Sequence, residues 1–316
     1  MALILGNISY KINNKYMKLA FLISAHTDAA QLKRLVDALP DDSVLFLHID
    51  KKADINIFKQ VFSDDSRVRF IDHRVDVRWG SINEVEYQME LVRAALECRE
   101  PFERLITISG MDYPVWSKEQ IVQFFEQDRE KEYLAAIDCS YPWHASAIYQ
   151  QYFFWVHKPG SGWKYYVTRA LGRILRLLGV KKPLRRKIGD KTYKLYKGAA
   201  WWAITPKLAK VILHEWDTNE ELKDWLKWCM CPAELFAQTV ALNDEVWREK
   251  CMLDNEKYSL PMHTPLTYVT WVNEEIKTLD EADYDKIMQS GKMFCRKIVS
   301  GKSDNLVRMI DKKRIE

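Results

Sequence analysis

The sequence predicts an α/β protein, a single domain with a largely parallel central sheet flanked by helices. Three observations carry this expectation. Short apolar runs alternate with segments whose apolar residues recur at helical spacing, the pattern of strands joined by helical crossovers. Polar residues fall directly after several of the runs, where a buried strand emerges from the core. No repeat, low-complexity tract or linker divides the 316 residues, and with 47% hydrophobic content the chain can bury a substantial core.

Residues 19–24 form the first apolar run, followed by His26-Thr27-Asp28. Thr27 or Asp28 can cap a helix carrying Leu32, Leu35, Val36 and Leu39. The run 44–49 ends in His48-Ile49-Asp50-Lys51-Lys52, and the run 68–71 leads through Arg78-Trp79-Gly80-Ser81 into a helix with Val85, Met89, Leu91, Val92 and Leu96. The run 105–108 ends in Ser109-Gly110-Met111-Asp112-Tyr113-Pro114, and 133–137 reads as a further strand. His26, Asp50 and Asp112 therefore fall at the carboxyl ends of strands, where α/β sheets bind ligands, although each alone reads equally as a turn or capping residue. Residues 198–205 read as a strand that opens with small residues, and Pro206 starts a helix. Helical segments at 219–228 and 233–242, a strand at 266–271, an acidic helix at 280–290 and the segment 293–298 complete the pattern.

Composition narrows the function. Neither a G-x-G-x-x-G nor a Walker sequence occurs, which argues against dehydrogenases and kinases. Six Cys, at 98, 139, 229, 231, 251 and 295, contain no C-x-x-C pair, so a reduced compartment is expected and a zinc site is not. No run of about 20 apolar residues is long enough to cross a membrane, and the first 16 residues lack the features of a signal peptide, so the expected location is cytoplasmic. Met17-Lys18 directly precedes the first strand, which marks 1–16 as a candidate non-native or misassigned extension and 17–316 as the domain. Twelve Trp and 15 Tyr hint at aromatic surfaces for sugar rings; Trp79 and Trp201 are candidate sugar or acceptor contacts, and Gly198 permits close backbone approach.

The net charge of +4 hides an asymmetry: residues 158–197 hold 13 Lys/Arg against one acid, Asp190. Within this basic segment, Trp163, Tyr166, Val167, Ala170, Leu171, Ile174, Leu175 and Leu178 fall at helical spacing, with Arg169, Arg173 and Arg176 on the other side. Two readings stay open, a surface helix packed on the core and a helix lying at an anionic membrane surface, the second favoured slightly by the polybasic run that follows. Glu234 is equally two-sided. Pro232 suits the first turn of a helix, so Glu234 is either a capping acid or a carboxylate placed to take a proton from a sugar hydroxyl.

In order along the chain, these segments resemble the core 2 / I-branching β-1,6-N-acetylglucosaminyltransferase family, which also contains the peptide O-xylosyltransferases. The likeness runs from about Met17 to Ile298 and rests on six strings. These are Leu-His-Ile-Asp-Lys-Lys at 47–52, Arg-Trp-Gly-Ser at 78–81, Ser-Gly-Met-Asp-Tyr-Pro at 109–114, Lys-Gly-Ala-Ala-Trp-Trp-Ala-Ile-Thr at 197–205, Pro-Ala-Glu-Leu-Phe-Ala-Gln-Thr at 232–239 and Phe-Cys-Arg-Lys-Ile at 294–298.

The resemblance implies a GT-A-like fold and inverting transfer of a sugar, N-acetylglucosamine first, from a UDP-sugar to a glycan or lipid-linked saccharide, in a bacterial member of the family. It maps the general base onto Glu234 and the diphosphate contacts onto Arg296 and Lys297, with His26, Asp50 and Asp112 as donor-binding positions. It also implies a metal-independent site without other cofactors, in which cations aimed at the departing diphosphate replace the ion. Asp283-Tyr284-Asp285 matches the Asp-x-Asp of metal-using enzymes but is set aside as part of a solvated acidic helix. Two departures stand out: Ala233 replaces an Asp beside the base, and Thr267 stands where members commonly have an Arg. The expected partners are the UDP-sugar, the saccharide acceptor and a membrane touched peripherally through 163–187, rather than nucleic acid. The alternatives are a transferase using UDP-xylose or another UDP-sugar, a glycoside hydrolase using Asp112 and Glu234, and a basic membrane-binding adaptor.

Overall fold

The computed structural model describes residues 17–141, 146–154, 162–254, 264–273 and 275–315, so the segment 1–16 lies outside the described residues. The central sheet grows from the apolar runs. β1 (Leu19–Ala25) is flanked by two parallel neighbours, β2 (Val44–Ile49) and a strand at Arg104–Ser109, and β3 (Val68–Phe70) extends the sheet beyond β2. Every residue of β2 is buried, which is why its apolar residues do not alternate with polar ones and His48 is the single polar residue in it.

The strand period of two divides β1 between two cores. Leu19, Phe21 and Ile23 pack with Leu32 and Leu35 of α1 (Ala29–Ala38), whereas Ala20 and Leu22 face Val85, Met89 and Val92. α2 (Ile55–Val61) adds Phe58 to the first core, and α3 (Asn83–Glu97) carries the packing residues of the second. Of the two candidate caps for α1, Asp28 serves: its carboxylate accepts the Gln31 amide at 3.0 Å and the Ser300 amide at 2.8 Å. β4 (Arg104–Ser109) is followed by the short β5 (Asp112–Pro114) and by α4 (Lys118–Gln127), whose N-terminus carries a Ser117/Gln120 capping box.

Several boundaries differ from the sequence reading. The strand expected at 133–137 is β6 (Ala135–Asp138), and it belongs to a separate three-stranded sheet. After α5 (Trp163–Leu177) and the hairpin of β7 (Arg185–Ile188) with β8 (Lys191–Lys194), the single strand expected at 198–205 is two. β9 (Tyr196–Gly198) pairs with β6, and β10 (Ala203–Ile204) joins β4 antiparallel at the edge of the central sheet. Thr107 makes the switch between sheets, since its side chain donates to Ala200 O at 3.0 Å and accepts from Trp202 N at 2.8 Å.

α6 (Pro206–Thr218) begins with Thr205 as cap and Pro206 in its first turn, and α7 (Glu220–Leu226) follows. The helix expected at 233–242 starts later. Cys231 is left-handed at φ 49°, Pro232–Glu234 forms a 3-10 turn, and α8 (Phe236–Leu242) begins only after it. α9 (Glu245–Lys250) leads to β11 (Met252–Asp254), which pairs with β6. The strand expected at 266–271 divides into β12 (Thr267–Val269) and β13 (Trp271–Val272), the latter in a hairpin with β14 (Glu275–Ile276). The acidic helix opens as a 3-10 turn and continues over Tyr284–Gln289. β15 (Phe294–Arg296) pairs antiparallel with β5, register partner to partner, so that Arg296 lies opposite Asp112.

α5 is the notable surface element. Its apolar face points outward, with Trp163 71% and Leu177 87% exposed and Tyr166, Val167, Leu171 and Ile174 exposed between them. The reading in which this stripe packs on the core is therefore corrected: most of it is exposed, and the half-buried positions are Thr168, Gly172, which approaches the Tyr152 carbonyl, and Leu175. None of the described helices is long and apolar enough to cross a membrane.

Candidate active site

The carboxyl ends of β1, β2 and β4 supply the first wall. Asp50 leaves β2 with its amide on Ala25 O at 2.9 Å, and its carboxylate accepts the Lys52 amide at 2.9 Å and pairs with the Lys52 ammonium at 3.3 Å. His26 is exposed one residue beyond β1. Asp112 is wholly buried. It accepts the Ser109 amide at 2.7 Å and the Arg296 guanidinium at 3.0 Å, and burial pushes its carboxyl above the ordinary value against the pull of those partners. Arg296 also donates to Ser109 Oγ at 2.6 Å and lies 4.5 Å over the Trp201 ring. Asp112, Arg296 and Trp201 thus form one clamp, with half-buried Lys297 next along the chain.

The second wall carries Glu234. The capping reading fails: its side chain makes no bond to the amides of the following turn, and α8 begins beyond it. Its carboxylate instead meets Lys197 Nζ at 3.0 Å, and 30% of the side chain is exposed against 9% for Lys197. Lys197 is held in turn by Gly198 O at 2.7 Å. Gly198 itself is buried in the ladder, where a Cβ would stand 1.9 Å from Ala135 O, so its missing side chain is required by sheet pairing and it offers no surface to a sugar. Trp79 is 54% exposed in the loop before α3, and Gln238 of α8 ties the chain before Trp201 by donating to Ala199 O at 2.7 Å.

α3 joins the two walls. Tyr87 is hydrogen-bonded to the Ser24 side chain and stacks on His48 with 5.1 Å between ring centres. Its hydroxyl pKa is pushed up by burial and lies in the fields of Glu84, Arg296 and Asp112. His48 is buried, accepts the Val75 amide at Nε2, and is held down at a pKa of about 4 by desolvation, so it is neutral near pH 7. Glu84, in the first turn of α3, feels the charge of Glu234.

A family model described as Core-2/I-Branching enzyme matches residues 19–298, which takes in both walls. The chain belongs to the Core-2/I-Branching enzyme family. Among its relatives, human Xylosyltransferase 1 is 28% identical over 123 residues, 37% of this chain and 13% of that protein. Rat Xylosyltransferase 2 is 24% identical over 129 residues, 39% of this chain and 15% of that protein, so the likeness spans a small part of these longer relatives. Among solved structures, a galactosyltransferase, LgtC, with donor and acceptor sugar analogues aligns at a TM-score of 0.42 and 9% identity, covering 94% of this chain and 93% of that one. The apo form of mouse xyloside xylosyltransferase 1 aligns at 0.36 and 12% identity, covering 89% and 96%. The assignment rests on the family match rather than on these overlaps.

In this Core-2/I-Branching enzyme chain, the residues singled out from sequence are unevenly placed. Asp112, Trp201 and Arg296 are brought together in the clamp, Glu234 is paired with Lys197, and Asp50 stands at the end of β2 paired with Lys52; His26 follows β1 and Lys297 follows Arg296 in the chain. Asp283 is buried rather than solvated, its carboxylate bound by Lys277 Nζ at 2.7 Å and by the Asp280 amide at 3.0 Å. Thr267 is buried in β12 and brings no cation. Sequence reasoning missed Lys197, Tyr87, His48 and Glu84. The available signal for Glu84 was its place on the helical stripe of Gln88 and Leu91, both buried.

Proposed function

We propose that this chain is an inverting glycosyltransferase that moves a sugar from a UDP-sugar to a hydroxyl of a glycan or lipid-linked saccharide. The observation that carries the reading is the accessible Glu234 carboxylate, bound on one oxygen by Lys197. The free oxygen takes the acceptor's hydroxyl proton as that oxygen attacks C1 of the donor. The bond from C1 to the diphosphate breaks on the opposite face, its electron pair leaves with UDP, and the configuration inverts. Lys197 holds the base in one orientation, so the proton acceptor is in place before the hydroxyl arrives.

Developing charge on the diphosphate calls for a cation already aimed at it. We assign Arg296 and Lys297 to the leaving group, as the motif series implies, and no metal enters the reading. N-acetylglucosamine is the donor sugar implied by the motif series; the named xylosyltransferase relatives favour UDP-xylose as the second reading. A glycoside hydrolase built on Asp112 and Glu234 is disfavoured, because Asp112 is sealed and bonded to Arg296.

The outward apolar face of α5, with exposed Arg169, Arg173 and Arg176, supports peripheral contact with an anionic bilayer, and we place the enzyme at the cytoplasmic face of such a membrane, beside a lipid-linked acceptor. Co-flotation with phosphatidylglycerol vesicles but not with phosphatidylcholine vesicles tests this contact. The activity is tested by screening UDP-sugars for turnover with and without EDTA. Turnover with UDP-N-acetylglucosamine or UDP-xylose that is indifferent to EDTA is expected; loss restored by manganese would overturn the metal-free assignment, and no UDP binding at millimolar concentration would overturn the reading as a whole.

A further inference from the structure

Residues 199–202 leave one sheet at the end of β9 and enter another at β10, and three buried polar side chains hold them between the two. Gln238 donates to Ala199 O at 2.7 Å, and Thr107 Oγ1 and Gln88 Nε2 donate to Ala200 O at 3.0 and 3.4 Å. On the other side, the Trp202 amide donates to Thr107 Oγ1 at 2.8 Å and its carbonyl accepts the Thr107 amide at 2.9 Å. Half-buried Trp201 stands between these fastenings, so its ring has a fixed seat.

The ring meets a cation that is anchored at one end. Arg296 Nη1 donates both to Ser109 Oγ at 2.6 Å and to Asp112 Oδ1 at 3.0 Å, and the β5–β15 register sets Arg296 opposite Asp112. Both bonds hold the same nitrogen. Among the described residues the buried Nε–H has no partner, so no hydrogen bond at that atom restrains the group. The Trp201 ring, with the guanidinium carbon 4.5 Å over its centre, supplies an aromatic face against which a guanidinium lies flat. The same stretch of chain reaches the general base: Lys197 pairs with Glu234 at 3.0 Å, and Gln238 lies in α8, directly after the turn that bears Glu234.

We propose that Trp201 is a positioning residue for the leaving group: seated by Gln238, Thr107 and Gln88, its indole holds the Arg296 guanidinium in one plane, with the edge not bonded to Ser109 and Asp112 turned to the donor's diphosphate. The inference rests on the transferase reading of the same site, and it replaces the sugar contact that the sequence suggested for Trp201. A guanidinium oriented before the diphosphate gains charge needs no reorganisation in the transition state, so the effect reaches turnover as well as binding.

Titration with UDP and with uridine, followed by turnover of the UDP-sugar, tests the proposal. Trp201→Leu keeps an apolar side chain and loses the aromatic face. Its UDP affinity and kcat should each fall about tenfold, while uridine, which carries no phosphate, should bind within about twofold of wild type. Trp201→Phe restores an aromatic face and should recover to within about threefold of wild type. Gln238→Leu removes one fastening of the loop without touching the ring, and should weaken UDP by about threefold. In an Arg296→Lys background, which keeps the charge and loses the planar group, Trp201→Leu and Gln238→Leu should each cost less than about twofold more.

Additive losses in those double variants would overturn the proposal, as would UDP affinity in Trp201→Leu within about twofold of wild type. Equal losses for UDP and uridine would overturn it by making Trp201 a base contact. A loss seen with the UDP-sugar but not with UDP would overturn it by restoring the sugar contact. Should UDP fail to bind wild type, the transferase reading falls and the proposal with it; UDP bound alike by wild type and Trp201→Leu removes the proposal alone.

Discussion

Two ion pairs of the same chemistry sit in different surroundings, and the contrast explains why one is a site and the other a strut. Arg104 and Glu132 approach to 3.8 Å with both side chains 0% exposed. Glu132 accepts from Thr205 N at 2.7 Å and Thr205 Oγ1 at 2.6 Å, fastening the start of α6. Arg104 donates to the carbonyls of Lys131, Asp128 and Arg129 and lies within 5.5 Å of the Phe125 and Tyr133 ring centres. Lys197 and Glu234 are closer, at 3.0 Å, yet Glu234 keeps 30% of its side chain exposed. The first pair is sealed in the fold, with both Glu132 oxygens bonded to Thr205 and, among the described residues, only Arg104 Nε left without a partner. The second has an oxygen left for a substrate.

The contrast breaks first at Glu132. Glu132→Ala leaves a buried guanidinium without its counter-charge and frees the cap of α6, so a loss of about 3–5 kcal/mol is expected in urea unfolding, with turnover per folded molecule retained. If the stability loss were under about 1 kcal/mol, the sealed pair would not be the strut described.

Lys197→Met tests the other side. The pair is half open, so a smaller cost of about 2 kcal/mol is expected, and it should appear in kcat/KM as roughly a 30-fold loss rather than mainly in Tm. A large Tm drop with unchanged kinetics would make this pair a second strut.

His48 sharpens the comparison, being a neutral group sealed next to the site. Its folded pKa of about 4 lies below the unfolded value of 6.5, so the unfolded chain binds the extra proton between those values and stability falls as pH drops through that window. About 2 kcal/mol should be lost between pH 7 and 5, and His48→Gln should remove that dependence.

The legible part of the fold is the central sheet, because β1, β2 and β4 are apolar enough to declare themselves without tertiary context. What the sequence hid depends on contacts across the chain. The break between β9 and β10 is set by the hydroxyl of Thr107, and the late start of α8 by the left-handed Cys231. Periodicity located the apolar face of α5 but carried no information on which side meets the body. In the site, Asp112, Glu234 and Arg296 were readable from their motifs. Lys197 opens the 197–205 string, but its pairing with Glu234 follows only from the fold, which sets β9 beside the 232–234 turn. Glu84 looked like an acid in a first helical turn, where acids are common.

The central claim is that Glu234 removes the acceptor proton, and Glu234→Gln tests it most directly. The variant keeps size and hydrogen bonding but cannot take a proton at that position. Turnover should fall by about 10²–10⁴-fold while UDP affinity and Tm stay close to wild type. Turnover within about twofold of wild type, with UDP binding intact, would contradict the assignment.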